Sequence, residues 1–171
     1  MAKGQAEELF PLIEDMLASV SIGWREFSAI GVGVGPGNFT GIRIAVASAR
    51  GLSMSLGIPA IGVSAFEALV FRNNDNPLLA VVGGRRDNVH FQVIDDSGKA
   101  SRPDTLSAGA LADRFAGQPI CVVGHRAEDI AQRIGPAARL GRELPVAEAI
   151  ALGAGEKLGA SAELPKPRSE E

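Results

Sequence analysis

The sequence is short of most of the side chains that make chemistry easy to recognise. Cys121 is its only cysteine, so no disulfide can form within the chain. It lies in the apolar run Pro119-Ile120-Cys121-Val122-Val123-Gly124, where a buried strand position is expected rather than a reactive thiol. The only two histidines, His90 and His125, stand far apart and form no H-x-x-x-H or H-E-x-x-H pair, which removes the usual zinc-hydrolase patterns. His90 alternates with Val89 and Phe91 and is expected to face solvent or a polar neighbour. No nucleophile and base pair stands out. The formal net charge is −3, so there is no global basic footprint for holding a nucleic acid by counterion release. No uncharged apolar run approaches a membrane span, and the opening residues Met1 to Glu8 carry no apolar signal core. A cytoplasmic location is expected.

What is present is enough for a proper core: 171 residues, of which 46 % are hydrophobic and 22 % charged. Strand and helix patterns alternate along the chain, which argues for an α/β architecture without an internal sequence repeat. Ala6, Leu9, Phe10, Ile13, Met16, Leu17 and Val20 form one helical stripe; Pro11 means that this helix starts near Phe10 or is kinked there. Residues 29–34 read as a strand. A helix from Phe39 to Leu56 comes next, stopped by Gly57 with Pro59 just beyond. Ala60 to Val63 reads as a strand, and Ser64-Ala65-Phe66-Glu67 as a capping box opening a short helix to about Phe71.

The polar run from Arg72 to Pro77 reads as a loop, and a lobe boundary is placed there, dividing the chain into 1–76 and 77–171. Beyond it, residues 78–82 and 89–94 form a hairpin whose turn carries Arg85 and Arg86. These arginines read as solvated surface, with contact to an acidic partner or an RNA phosphate as the alternative. Helices are expected over 106–115, 127–134 and 146–158, a strand over 120–123, and a frayed tail from Ala160.

Two features invite a functional reading. The first is the glycine-rich turn GVGPGNFTGIR, residues 33–43, between the strand and the long helix. It fits neither the Walker A nor the G-x-G-x-x-G spacing. Its glycines and an N-cap at Asn38 or Thr40 suit a tight strand-to-helix turn, and Gly35, Gly37, Asn38 and Thr40 are candidates for a weak anion site on free N–H groups. The second is the long helix itself, apolar almost all round with only Arg43 and Arg50 charged. Gly41, Ser48 and Ser55, beside Ala45 and Ala49, make a small-residue face that must be covered, either by the chain's own first helix or by a partner.

Residues 3–13 (KGQAEELFPLI), the turn and helix from Gly33 to Gly57, residues 58–69 (IPAIGVSAFEAL) and the Arg85-Arg86 hairpin together resemble the bacterial TsaB (YeaZ) family. The match is specific over residues 3 to 95, where G-P-G-x-F-T-G-I-R is followed by I-P-x-x-G-V-S, and loose beyond Ser97. The resemblance implies an actin-like, sugar-kinase-like (ASKHA) ATPase-type fold, degenerate, and here N-terminally truncated because the family's opening strands with their acidic I-D-T type motif are missing. It implies a scaffold or dimerization subunit without catalysis, cofactor or metal of its own. That subunit supports a TsaD-like transferase in making threonylcarbamoyladenosine in tRNA. A TsaE-like ATPase would join the assembled complex, a homodimer is possible, and tRNA would be met only through the complex. The interface implied by pairing through helices comprises Leu9, Phe10, Ile13, Met16 and Leu17 on the first helix and Phe39, Ile42, Ala45, Val46, Ala49 and Leu52 on the second. A further departure is Gly83-Gly84, where the family usually carries an acidic residue before the hairpin turn; this weakens any metal or nucleotide role there. The alternative function is an enzyme binding a small phosphorylated ligand or nucleotide through Gly35 to Thr40.

Overall fold

In a computed structural model, residues 5–162 are described, with side chains over residues 7–160. The chain begins with helix α1, Gln5–Ser19, which continues through Pro11 rather than starting at Phe10. A single 3-10 turn, Trp24–Glu26, leads to strand β1, Ile30–Gly33. Helix α2, Phe39–Leu56, then crosses over to β2, Ala60–Val63, which pairs in parallel with β1 in the register Ile30↔Ala60 to Gly33↔Val63. Both ends of α2 are set locally. The Asn38 side chain accepts from the Gly41 N–H, and Gly57 adopts the left-handed conformation at φ 67° that ends the helix cheaply. Ser64 and Glu67 close the expected capping box and start the short helix α3, Ala65–Val70.

The second sheet has five strands in the order β5-β4-β3-β6-β7. Strand β3, Leu78–Gly83, is central, antiparallel to β4, Asn88–Ile94, and parallel to β6, Cys121–Gly124. Its residues Leu78 to Val81 are all buried because both faces are covered. On one face Leu79, Val81 and Phe91 pack with Leu111 of α4, Ala108–Arg114, and Ile130 of α5, Ala127–Ile134. On the other face Leu78, Ala80, Cys121 and Val123 receive Phe66 of α3. Cys121 is fully buried in β6 as expected, and burial pushes its thiol pKa up.

Two strands depart from the sequence reading. Asp104–Ser107, assigned in part to a helix over 106–115, forms the edge strand β5 on β4, and α4 starts only after Ser107, whose side chain caps it. Arg139–Leu140 adds a short edge strand, β7, parallel to β6. Both are polar or brief, so neither carries an apolar alternation that periodicity could detect.

The last helix, α6, Val146–Ala162, runs further than residues 146–158 and takes in the first three residues of the frayed tail expected from Ala160; the rest of that tail lies outside the described residues. The helix does not stay with the second lobe to which it was allotted. It returns across the chain to pack on β1 and β2 and against α3, where Ala149 and Ala154 join Val63 and Ala68 in one cluster. A side chain on Gly31 would come 3.0 Å from the Ala154 Cβ and 3.2 Å from the Ile150 carbonyl oxygen, which explains a glycine under this close helix crossing. The strands of the first sheet lie within residues 30–63 and those of the second within 78–140, while α6 packs on the first.

The order α1-β1-α2-β2-α3 is repeated by α4-β6-α5-β7-α6, each with a parallel strand pair, although the sequence carries no visible repeat. In the second unit β3 occupies the free side of β6. Among the described residues no strand pairs with the corresponding side of β1.

Candidate functional site

The glycine-rich turn joins three elements. It ends β1, its Asn38 caps α2, and the Gly35 carbonyl accepts a 2.8 Å bond from the Ala65 N–H at the start of α3. Gly35 has φ 89°, and a Cβ there would meet the Ile42 side chain at 2.8 Å. The capping role falls to Asn38; Thr40 sits in the first helical turn with its side chain exposed.

The turn faces the β3–β4 hairpin across a cleft of about 710 Å³, which brings Gly37, Asn38 and Thr40 together with Arg85, His90 and Thr105. Gly35 lines a neighbouring hollow instead. Arg86 is exposed in the turn with φ 57° and does not line the cleft. His90 is half-buried and its Nδ1 lies 2.8 Å from the Thr105 Oγ1 across the β4–β5 pair, the polar neighbour that strand alternation suggested. His125 is exposed elsewhere, at the end of β6, with its ring over Gly83. The cleft lining includes the guanidinium of Arg85 and no carboxylate, so it can attract an anion but offers no acidic ligand to a divalent cation. Among the described residues no group of three or more His, Cys, Asp or Glu side chains is placed to hold a metal.

One positioning element escaped the sequence reading. Arg126, just before α5, adopts φ 58° and pairs with both Asp87 and Asp129, while the Asp87 carbonyl accepts from the Ala108 N–H. The hairpin turn is thereby fastened to two helices. These partners are 39 residues apart in the case of Arg126 and Asp87, and no local spacing announces such a pair.

The helical face has different physics. Ala49 is the one buried side chain of α2, which packs chiefly on β1. Within the small-residue face of α2, Ala49 is buried, Gly41, Ala45 and Ser48 are half-buried, and Ser55 is exposed. Of the residues read as interface, Phe10, Met16 and Phe39 are exposed, at 37 %, 58 % and 69 %. Leu9, Ile13, Ile42, Ala45, Val46 and Leu52 are half-buried. Leu17 and Ala49 are a correction: both are buried within the fold, as the inward residues of their helices. The stripe also omitted Leu12, Ile22 and Met54, all exposed. Met54 and Leu12 each stand five residues, about 140° around the helix, from the buried Ala49 and Leu17, an offset that periodicity could have shown, whereas Ile22 lies beyond the end of α1. An apolar helix face without cover is the unusual observation, since isolated exposed apolar residues are common.

Two parallel strand pairs with interleaved helices, and helices shared between the sheets, define an actin-like, sugar-kinase-like ATPase-type fold. Solved structures agree. A Pseudomonas aeruginosa protein described as uncharacterized with similarity to peptidase YeaZ superposes with a TM-score of 0.69 at 25 % identity, covering 99 % of this chain and 85 % of the other. YeaZ from Pseudomonas aeruginosa gives 0.67 at 25 %, covering 95 % and 80 %.

The family model described as TsaD, tRNA N6-adenosine threonylcarbamoyltransferase, matches residues 1–116. An uncharacterized protein of Mycobacterium leprae is 32 % identical over 123 residues, 72 % of this chain and 33 % of the relative. An uncharacterized protein of Mycobacterium tuberculosis matches equally, covering 56 % of the relative. The tRNA threonylcarbamoyladenosine biosynthesis protein TsaB of Escherichia coli is 29 % identical over 89 residues, 50 % of this chain and 38 % of that protein. This chain belongs to that family, on its TsaB (YeaZ) side. It spans between a third and just over half of the length of these curated relatives.

Proposed function

We propose that this chain takes part in threonylcarbamoyladenosine modification of tRNA as a non-catalytic scaffold that docks a TsaD-type transferase through α1 and α2. The observation that carries the reading is the apolar exposure of these two helices: Met16 and Phe39 stand more than half exposed on helices that bury one described side chain each. Covering such a side chain contributes about 1.5–3 kcal/mol. A face of this kind supplies the apolar centre that a stable interface needs. A TsaE-like ATPase would join the assembled pair, tRNA would be met through the transferase, and the location would be cytoplasmic. Among the described residues no helix is long and apolar enough to cross a membrane.

Met16→Glu and Phe39→Glu test it, with size-exclusion chromatography against a purified TsaD-type subunit and circular dichroism of the free chain. Both variants should stay folded and lose the complex, because an introduced charge would be desolvated without a partner. Ala49→Glu is the internal control and should unfold or strongly destabilise the free chain. Unchanged complex formation by both exposed-site variants refutes the interface. Loss of a self-dimer with the transferase complex intact would assign the face to a second copy.

The cleft supports a second reading, a small phosphorylated ligand or nucleotide held between Gly37, Asn38, Thr40 and Arg85. A thermal shift with ATP, ADP or phosphate, lost on Asn38→Ala, would favour it. Steady ATP turnover by the isolated chain, abolished by Thr40→Ala, would overturn the non-catalytic assignment.

A further inference from the structure

A second cleft has its own construction. It encloses about 850 Å³ between the end of α3, the loop 72–74 and α6. Its apolar wall includes Val70, Phe71 and Leu152, and its rim carries Arg72 and Arg142. Among the described residues neither guanidinium has an acidic partner.

The chain segments that carry the two arginines are joined by a clasp. Asn73 donates through Nδ2 to the Leu69 carbonyl at 2.9 Å and to the Arg142 carbonyl at 2.8 Å, while its Oδ1 accepts from the Arg142 N–H at 2.9 Å. One side chain therefore fixes chain segments 69 residues apart. Arg72, beside it, is held at φ 62°, a conformation that is costly for a residue with a Cβ. Local strain of this kind marks sites where a side chain's position matters more than its ease of folding. Two unpaired cations at one rim are the charge complement of an oxyanion, which a guanidinium binds through parallel N–H bonds.

The cleft is poorly suited to a polyanion such as RNA, because Glu67 and Glu156 also line it. Glu67 is engaged by Lys157, which lines the cleft as well. The arrangement fits one oxyanion next to an apolar body, at a size typical of small-ligand sites.

We propose that this cleft binds a small ligand that combines one oxyanionic group, held by Arg72 and Arg142, with an apolar body resting on Phe71 and Leu152. The site shares no residue with the α1 and α2 face, so it stands or falls independently of partner docking. The test is amide NMR titration of the full chain with phenyl phosphate and with phenylacetate, using inorganic phosphate and benzyl alcohol as controls. Saturable shifts are expected at Asn73, Asn74 and Arg142 with the phenyl oxyanions, and whichever of the two saturates first identifies phosphate or carboxylate as the natural group. Arg142→Ala should weaken binding at least about tenfold. Arg72→Gly should do the same while melting at or above the wild-type temperature, because glycine relieves the left-handed backbone; an arginine with only a structural role would lower both together. The proposal is overturned if neither phenyl oxyanion shifts these amides, or if inorganic phosphate binds as well as phenyl phosphate. Shifts confined to the 85–90 hairpin, or tighter binding of a short RNA at the same amides, overturn it equally.

Discussion

The two sheets of this protein are built from similar units and finished very differently. In the five-stranded sheet the residues of β3 and β6 from Leu78 to Val81 and from Cys121 to Val123 are buried, with helices on both faces. In the two-stranded sheet β1 has no buried residue, and α2 buries Ala49 alone. The contrast is not one of composition, since α2 is as apolar as any core helix. It reflects closure: α4 and α5 share one apolar layer against their sheet, whereas α2 leaves Phe39 and Met54 exposed. Hydrophobic side chains stabilise a fold only where something removes them from water, and in the first half that something is incomplete within the described chain.

The sharpest way to break this comparison is to truncate both halves. Leu111→Ala or Ile130→Ala, at fully buried positions, should cost about 2–5 kcal/mol in urea unfolding, whereas Met16→Ala or Met54→Ala should change stability by less than about 0.5 kcal/mol. Comparable losses in the two sets would mean that the first half is closed in solution. A next step tests the seam between the sheets. Gly31→Val would force α6 away from β1 against contacts already at 3.0 and 3.2 Å, with an expected loss of about 1–3 kcal/mol in the same assay. A neutral result would show that α6 rides loosely on the first sheet.

Smaller effects sharpen the picture. Asn38→Ala removes the cap of α2 and should cost about 1 kcal/mol, read as a lower melting temperature. The smallest is a pH effect. Burial pushes the Glu67 carboxyl up, but Lys157 and the Ser64 hydrogen bonds outweigh it and hold the group below its ordinary value. A lowered folded pKa contributes stability that is present above the unfolded carboxyl's pKa and lost as pH falls through the folded one. The melting-temperature gap between wild type and Glu67→Gln should therefore be open near neutrality and close in acid. Both partners are about half exposed, so the gap will be slight. A gap that widens in acid contradicts the assignment.

The sequence by itself determined where elements begin and end wherever the signal is local. Asn38, Gly57 and the Ser64–Glu67 box place the limits of α2 and the start of α3 as read, because a cap is a contact between neighbours in the chain. The burial of Cys121 was legible from the apolar run around it, and alternation left His90 facing solvent or a polar neighbour; that the neighbour is Thr105 depends on β5. Only the tertiary structure decided that Asp104–Ser107 is a strand, since its ladder bonds to β4 outweigh a weak local preference. It alone decided that Leu17 and Ala49 face inward, that α6 packs on the first sheet, and that Arg72 and Arg142 line one cleft. Periodicity tells which side chains share a face of an element. What covers that face depends on contacts between residues distant in sequence, and no local pattern records them.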